Sequence, residues 1–182
     1  MRHFLANIAT YTIAIFLISA AALFGWGRSA QLVISDEPTV LQRFAPAPGH
    51  PFEWTALGEK GYRRNCQSCH GPEGRGWDQY PKLDHTASLF LAAGGREYLI
   101  DVHLYGLTSA RWGAPMPPMA HLHDLELTAV LNHVLTHFGN DQRLDDRTVL
   151  YEPEEIGPRR GQELSPWGVE KRRQEIVLPG RQ

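Results

Sequence analysis

The chain has 182 residues and a formal net charge of −2. That length holds one membrane segment and one modest domain, not two large ones. The slightly acidic balance argues against a nucleic-acid partner, which needs a basic surface to displace counterions. Beyond position 26 there are twenty acidic and seventeen basic residues, an excess too mild to identify a partner by charge.

Residues 4–26, FLANIATYTIAIFLISAAALFGW, carry no charge and lie between Arg2 and Arg28. A helix of that length crosses a bilayer core, so residues 1–27 read as an N-terminal transmembrane anchor. A cleavable signal sequence is the rival reading, because small residues stand at Ser19–Ala22 and at Ser29-Ala30. Either one exports the rest of the chain. Residues 28–52 contain Pro38, Pro46, Pro48 and Pro51 and read as a semi-rigid linker.

A helix is expected from about Phe52 or Glu53 into Cys66, with Trp54, Leu57 and Tyr62 able to share one face. The run from Gly71 to Gly76 cannot continue it. Residues 95–107 read as a second helix, with Tyr98, Val102 and Tyr105 at helical spacing. Residues 111–121 are rich in Pro and Gly and read as a loop. From Asp124 to about Phe138, a broad apolar stripe of Leu127, Val130, Leu131, Val134, Leu135 and Phe138 marks a third helix. Gly139-Asn140 is its stop signal.

The tail, 140–182, is dense in charges of both signs and holds an internal echo. Residues 153–160 and 166–173 both fit P-x-x-[I/V]-x-x-R-R. Ser165-Pro166 suits a helix cap and first turn. Two short solvated helices or plain disorder are expected here, in preference to a dedicated docking segment.

Cys66-Gln67-Ser68-Cys69-His70 holds both cysteines of the chain. C-x-x-C-H is the attachment signature of c-type haem. Two thiols at that spacing can add across the two vinyl groups of one porphyrin, and the adjoining histidine then lies under the iron. A thiol–disulfide pair would want a thioredoxin-like βαβ context, and structural zinc would want four ligands. A second axial ligand is needed for a low-spin carrier. The loop 112–119 offers Met116 and Met119, and a neutral thioether favours the ferrous state. The nearby His121 and His123 leave a bis-histidine alternative. His85, His103, His133 and His137 read as surface or half-buried side chains. His133 and His137 share a helix face, but no third metal ligand is in view. Trp77, Arg111 and Trp112 are candidates to hold haem propionates. No acid/base pair or substrate pocket is evident.

Residues 53–139 resemble a class I cytochrome c domain. Gly58 and Tyr62 match the Gly and aromatic of that family's first helix, and CQSCHGPEGRG its haem motif and following turn. GAPMPPMAHLHDLELTAVLNHVLTHF resembles its methionine loop and last helix, with His123 where a Ser or Thr cap is usual. The resemblance implies an all-α, class I cytochrome c fold, three to five helices around one haem, and the apolar run 4–26 places one N-terminal transmembrane helix before it. The resemblance also implies one haem c, covalent through two thioethers at Cys66 and Cys69. His70 and Met116 are then the iron ligands, Pro81 supplies the carbonyl that accepts the proximal histidine's N–H, and Met119 is packing.

The implied role is a one-electron carrier, not an enzyme, in a periplasmic respiratory or dehydrogenase-linked chain. The alternative is a haem-bearing electron-transfer subunit of a membrane or periplasmic oxidoreductase complex. A weaker third reading, a ligand-binding haem sensor, requires Met116 to dissociate. Expected partners are a quinol-oxidising complex, an oxidase or a dehydrogenase, with no small-molecule substrate and no nucleic acid. The expected location is the inner (cytoplasmic) membrane, single-pass, with the haem domain in the periplasm.

Overall fold

A computed structural model describes residues 41–178. The segment expected to be a membrane anchor and the start of the linker lie outside those residues. Among the described residues no helix is long and apolar enough to cross a membrane. The helices are α1 Thr55–Asn65, α2 Gln67–His70, α3 Thr86–Phe90, α4 Gly95–Tyr105, α5 Asp124–Thr136 and α6 Pro166–Glu175. Short 3-10 turns occur at Gln42–Phe44, Asp141–Arg143, Pro153–Glu155 and Gly157–Arg159. Pairing of extended backbone among the described residues is confined to two isolated bridges, Trp77 with Tyr80 and Leu107 with Met116. The domain is all-α, as the helical patterning implies.

Helices α1 and α5 meet through bare backbone. A Cβ on Gly58 would stand 2.4 Å from the Ala129 carbonyl oxygen, and one on Gly61 2.5 Å from a Val130 methyl. The crossing is therefore closer than any side chain at those positions allows. Tyr62, one turn on from Gly58, is buried with Cys66, Val130 and Val134. Its ring packs against Phe138 at 4.9 Å, and its hydroxyl donates to the Gly71 carbonyl at 2.6 Å.

Helix α5 is buried from Leu125 to Leu135 on every side, including Glu126, Thr128, Asn132 and His133. Asn132 exchanges two hydrogen bonds of 2.9 Å with the Tyr151 backbone. The helix ends at Thr136, two residues short of the expected Phe138, whose φ of 61° leaves the helical region. Asn140, which reads in the sequence as a stop signal, is fully buried. Its side chain accepts the Ala87 N–H at 2.9 Å and donates to the Leu83 and Val134 carbonyls at 2.8 and 2.9 Å. It joins the end of α5 to α3, a five-residue helix too short to leave a periodic signal.

The tail departs from the expectation of solvated helices or disorder. Tyr151, Ile156 and Val169 are at most 1% exposed and belong to the main apolar core. The sequence echo is a structural one. Ile156 and Val169 occupy the same place in the two copies, and both are buried. Arg159 and Arg172 also correspond, and both pair with Asp101 on α4, whose side chain is fully buried. Arg159 grips that carboxylate with two bonds, of 3.0 and 2.5 Å. Upstream, Arg96 forms two bonds to Glu155, of 2.6 and 2.7 Å, and its guanidinium lies over the Phe90 and Tyr151 rings. One apolar residue per repeat is too little to stand out among so many charges.

Two substitutions probe these contacts. Gly58→Ala should lower stability by ~1–3 kcal/mol despite alanine's better helix propensity, because α5 must retreat; thermal melting of the holoprotein measures it. Asp101→Ala should cost about 2–3 kcal/mol, less than a fully buried pair because the arginines are partly exposed. Limited trypsinolysis should then cut the tail faster, at Arg159, Arg160 or Arg172.

Candidate functional site

The turn from α1 into α2 places the C-x-x-C-H residues. Cys66 closes α1, its N–H donating to the Tyr62 carbonyl at 2.8 Å. The single turn of α2 then carries Cys69 and His70 around to the same side. Both cysteines are free thiols. Burial, followed by the proximity of Cys69, pushes the Cys66 thiol up to about 12. A protonated, buried sulfur is the opposite of the activated thiolate that a thiol–disulfide enzyme requires.

After α2 the chain doubles back to bring Pro81 over His70. The imidazole Nδ1 lies 2.9 Å from the Pro81 carbonyl oxygen. A carbonyl can only accept, so Nδ1 carries the proton and Nε2 keeps its lone pair. This closure needs Gly76, whose φ is 69° and whose missing Cβ would stand 2.3 Å from the Tyr80 carbonyl oxygen. Burial pulls the His70 pKa down, and the Pro81 bond partly opposes that pull.

His70 faces an open cleft walled mostly by apolar side chains, the usual character of a cofactor site. Cys66, Leu89, Leu99, Val102, Met116 and Val134 are among its walls. A second recess, reached by Cys69, shares His70, Pro81, Leu107, Trp112 and Met116 with the first. The two are lobes of one cleft. Met116 is held there by two backbone bonds with Leu107, of 3.0 and 2.8 Å. Met119 is buried in the main core and borders the smaller lobe.

The sequence model of the cytochrome c family matches residues 55–138. Cytochrome c-552 of Thermus thermophilus is 34% identical over 121 residues, covering 62% of this chain and 92% of that protein. A second cytochrome c-552 of Thermus thermophilus is also 34% identical over 121 residues, covering 62% of this chain and 81% of that protein. The chain belongs to the cytochrome c family. As a cytochrome it works by haem-based electron transfer and is a carrier, not an enzyme.

The cleft of this cytochrome fits haem c on its own chemistry. Two unpaired thiols, a histidine with Nε2 free and a thioether border one largely apolar space. Of the residues nominated for propionates, Arg111 and Trp112 line the cleft. Trp77, 56% exposed, lies in a neighbouring surface groove with Lys82 and His85. Neither His121 nor His123 lines either lobe. His123 caps α5 instead, Nδ1 accepting the Leu125 N–H at 3.2 Å, while Glu126 accepts the His123 N–H at 3.4 Å.

Several cleft residues escaped the sequence reading, among them three polar residues on helices. Glu170 and Arg173, from α6, reach the larger lobe, and so does His103 from α4. The sequence puts His103 at or near the surface, but it is buried. For the two tail residues, the only available hint was the P-x-x-[I/V]-x-x-R-R echo, since sequence distance hides a contact across a folded-back segment.

The His133–His137 pair is stacked, with ring centroids 4.0 Å apart, and no group of three or more potential metal-ligating residues occurs among the described residues. Burial and then the His137 charge hold the His133 pKa down, at about 4. The folded state thus favours neutral His133. Its contribution is present above the unfolded value near 6.5 and is lost as pH falls toward 4. Stability of the holoprotein should therefore decline between pH 6.5 and 4, and His133→Gln should flatten that decline in denaturant titrations across the range.

Proposed function

We propose that this cytochrome carries one electron at a time between protein partners, through a single haem c joined to Cys66 and Cys69 and ligated by His70 and Met116. The observation that carries the reading is the His70–Pro81 bond of 2.9 Å, which leaves Nε2 as a ligand in the cleft that Met116 also lines. Haem c bound there supplies a ferric/ferrous couple. The residues around it do the rest. Pro81 fixes the imidazole's tautomer and orientation. The Met116 thioether favours the reduced state relative to a second imidazole. Flanking Pro115, Pro117 and Pro118 limit the entropy that the loop loses on holding it. Leu89, Leu99, Val102 and Val134 keep water from the cleft, and Arg111 and Arg173 provide cations for the porphyrin's carboxylates.

Two strong ligands leave no position for a substrate, so partner contacts need only be small and transient. The reading includes a respiratory setting, with a quinol-oxidising complex, an oxidase or a dehydrogenase as partner. Covalent attachment of haem c takes place outside the cytoplasm, and the uncharged run 4–26 suits an anchor that leaves the domain on the periplasmic side. A free carrier is favoured over a permanently docked subunit. The tail, the segment available to bind a larger chain, instead places Tyr151, Ile156 and Val169 in its own core.

The deciding measurement is a reduced-minus-oxidised spectrum of the protein matured in a haem-competent host, together with its intact mass. One covalent haem and the weak long-wavelength ferric band of methionine ligation are expected. Colourless protein at the apo-mass would sink the proposal. Cys66→Ala/Cys69→Ala should abolish attachment, and the wild-type reduced form should resist carbon monoxide.

A further inference from the structure

His103 sits in the wall of the cleft with one ring nitrogen committed and the other not. Its Nδ1 lies 2.8 Å from the Leu99 carbonyl oxygen, so Nδ1 bears the proton and Nε2 is an acceptor only. That is the ring's only hydrogen bond among the described residues. The residue lines the same lobe as His70 and Met116.

Backbone contacts tie His103 to the methionine loop. Its carbonyl accepts the Met119 N–H at 2.7 Å, and one turn later Leu107 makes its two bonds with Met116. The imidazole and the thioether are therefore carried by one stiff section of wall. A porphyrin that has given up its pyrrole protons to iron presents no N–H to an acceptor. The donors that line the lobe, Ser109, Arg111, Trp112 and Arg173 among them, make no hydrogen bond to that nitrogen among the described residues, so its lone pair is open to a Lewis acid. Burial also keeps the ring neutral, the form that ligates a metal.

We infer that His103 is a nitrogen ligand held in reserve, whose Nε2 takes the iron position that the Met116 thioether vacates. The exchange breaks one dative bond from sulfur and forms one from nitrogen, with no electron or proton transferred. It rests on the haem reading above. With His103 engaged, the centre becomes bis-histidine and its potential falls. Loss of the thioether then leaves a carrier of lower potential instead of an open haem.

The test compares four holoproteins: wild type, Met116→Ala, His103→Leu and the double variant, with His103→Gln as a second substitution should leucine disturb packing. Ferric Met116→Ala is expected to be low-spin, with the absorption and paramagnetic resonance signature of two imidazoles and a potential below wild type. The double variant should be high-spin and bind added imidazole on the order of tenfold or more tightly than Met116→Ala, because no internal ligand competes. His103→Leu should keep the long-wavelength band of methionine ligation.

High-spin Met116→Ala with the imidazole affinity of the double variant would overturn the inference. So would loss of the low-spin state in His103→Leu and His103→Gln alone, since His103 would then be the resident ligand. Absence of covalent haem in all four overturns the haem reading itself, and the mass reports that separately.

Discussion

The near-contact of Gly58 with the Ala129 carbonyl, 2.4 Å for a side-chain carbon that is not there, governs where the chemistry can happen. It lets α1 and α5 cross at backbone distance, and the far end of α1 then delivers Cys66 against Val130 and Val134. One sulfur of the attachment pair is thereby built into the core, and the cleft begins where that core ends. The Tyr62 hydroxyl on Gly71 fixes the turn that follows, and the Gly76 bend returns Pro81 to His70. The tautomer of His70 is selected by a sequence of backbone approaches, each permitted by a missing or small side chain.

Local chemistry was legible in the sequence. The C-x-x-C-H residues and the loop that carries Met116 are contiguous motifs, and the structure sets them around one cleft. The long helices were also legible, because α4 and α5 repeat their apolar residues often enough to reveal a period. Three features were not. Helix α3 is shorter than two turns. Asn140 looked like punctuation, yet its amide makes long-range bonds that no local pattern encodes. His103 looked like a polar interruption in a helix, since its value depends on a cavity formed by residues far away in the chain.

The tail was legible as a pattern but not as a role. Its two copies of one motif were visible, while their meaning required the partner, Asp101, in a helix some sixty residues earlier. Charged side chains there do not signal solvation. They satisfy one carboxylate that would otherwise be buried unpaired at a cost of several kcal/mol. The same segment lends Glu170 and Arg173 to the rim of the cleft, so the cofactor's surroundings are assembled from both ends of the domain.

Two arginines on a common carboxylate make the tail a chelate. Once Arg159 and Ile156 have landed, Val169 and Arg172 search only the short radius allowed by the intervening residues, and their local concentration near Asp101 is high. A second copy that lets go alone therefore stays close to its site while the first remains bound. The segment that brings Glu170 and Arg173 to the cleft is thus fastened to α4 at two points, one in each copy of the motif.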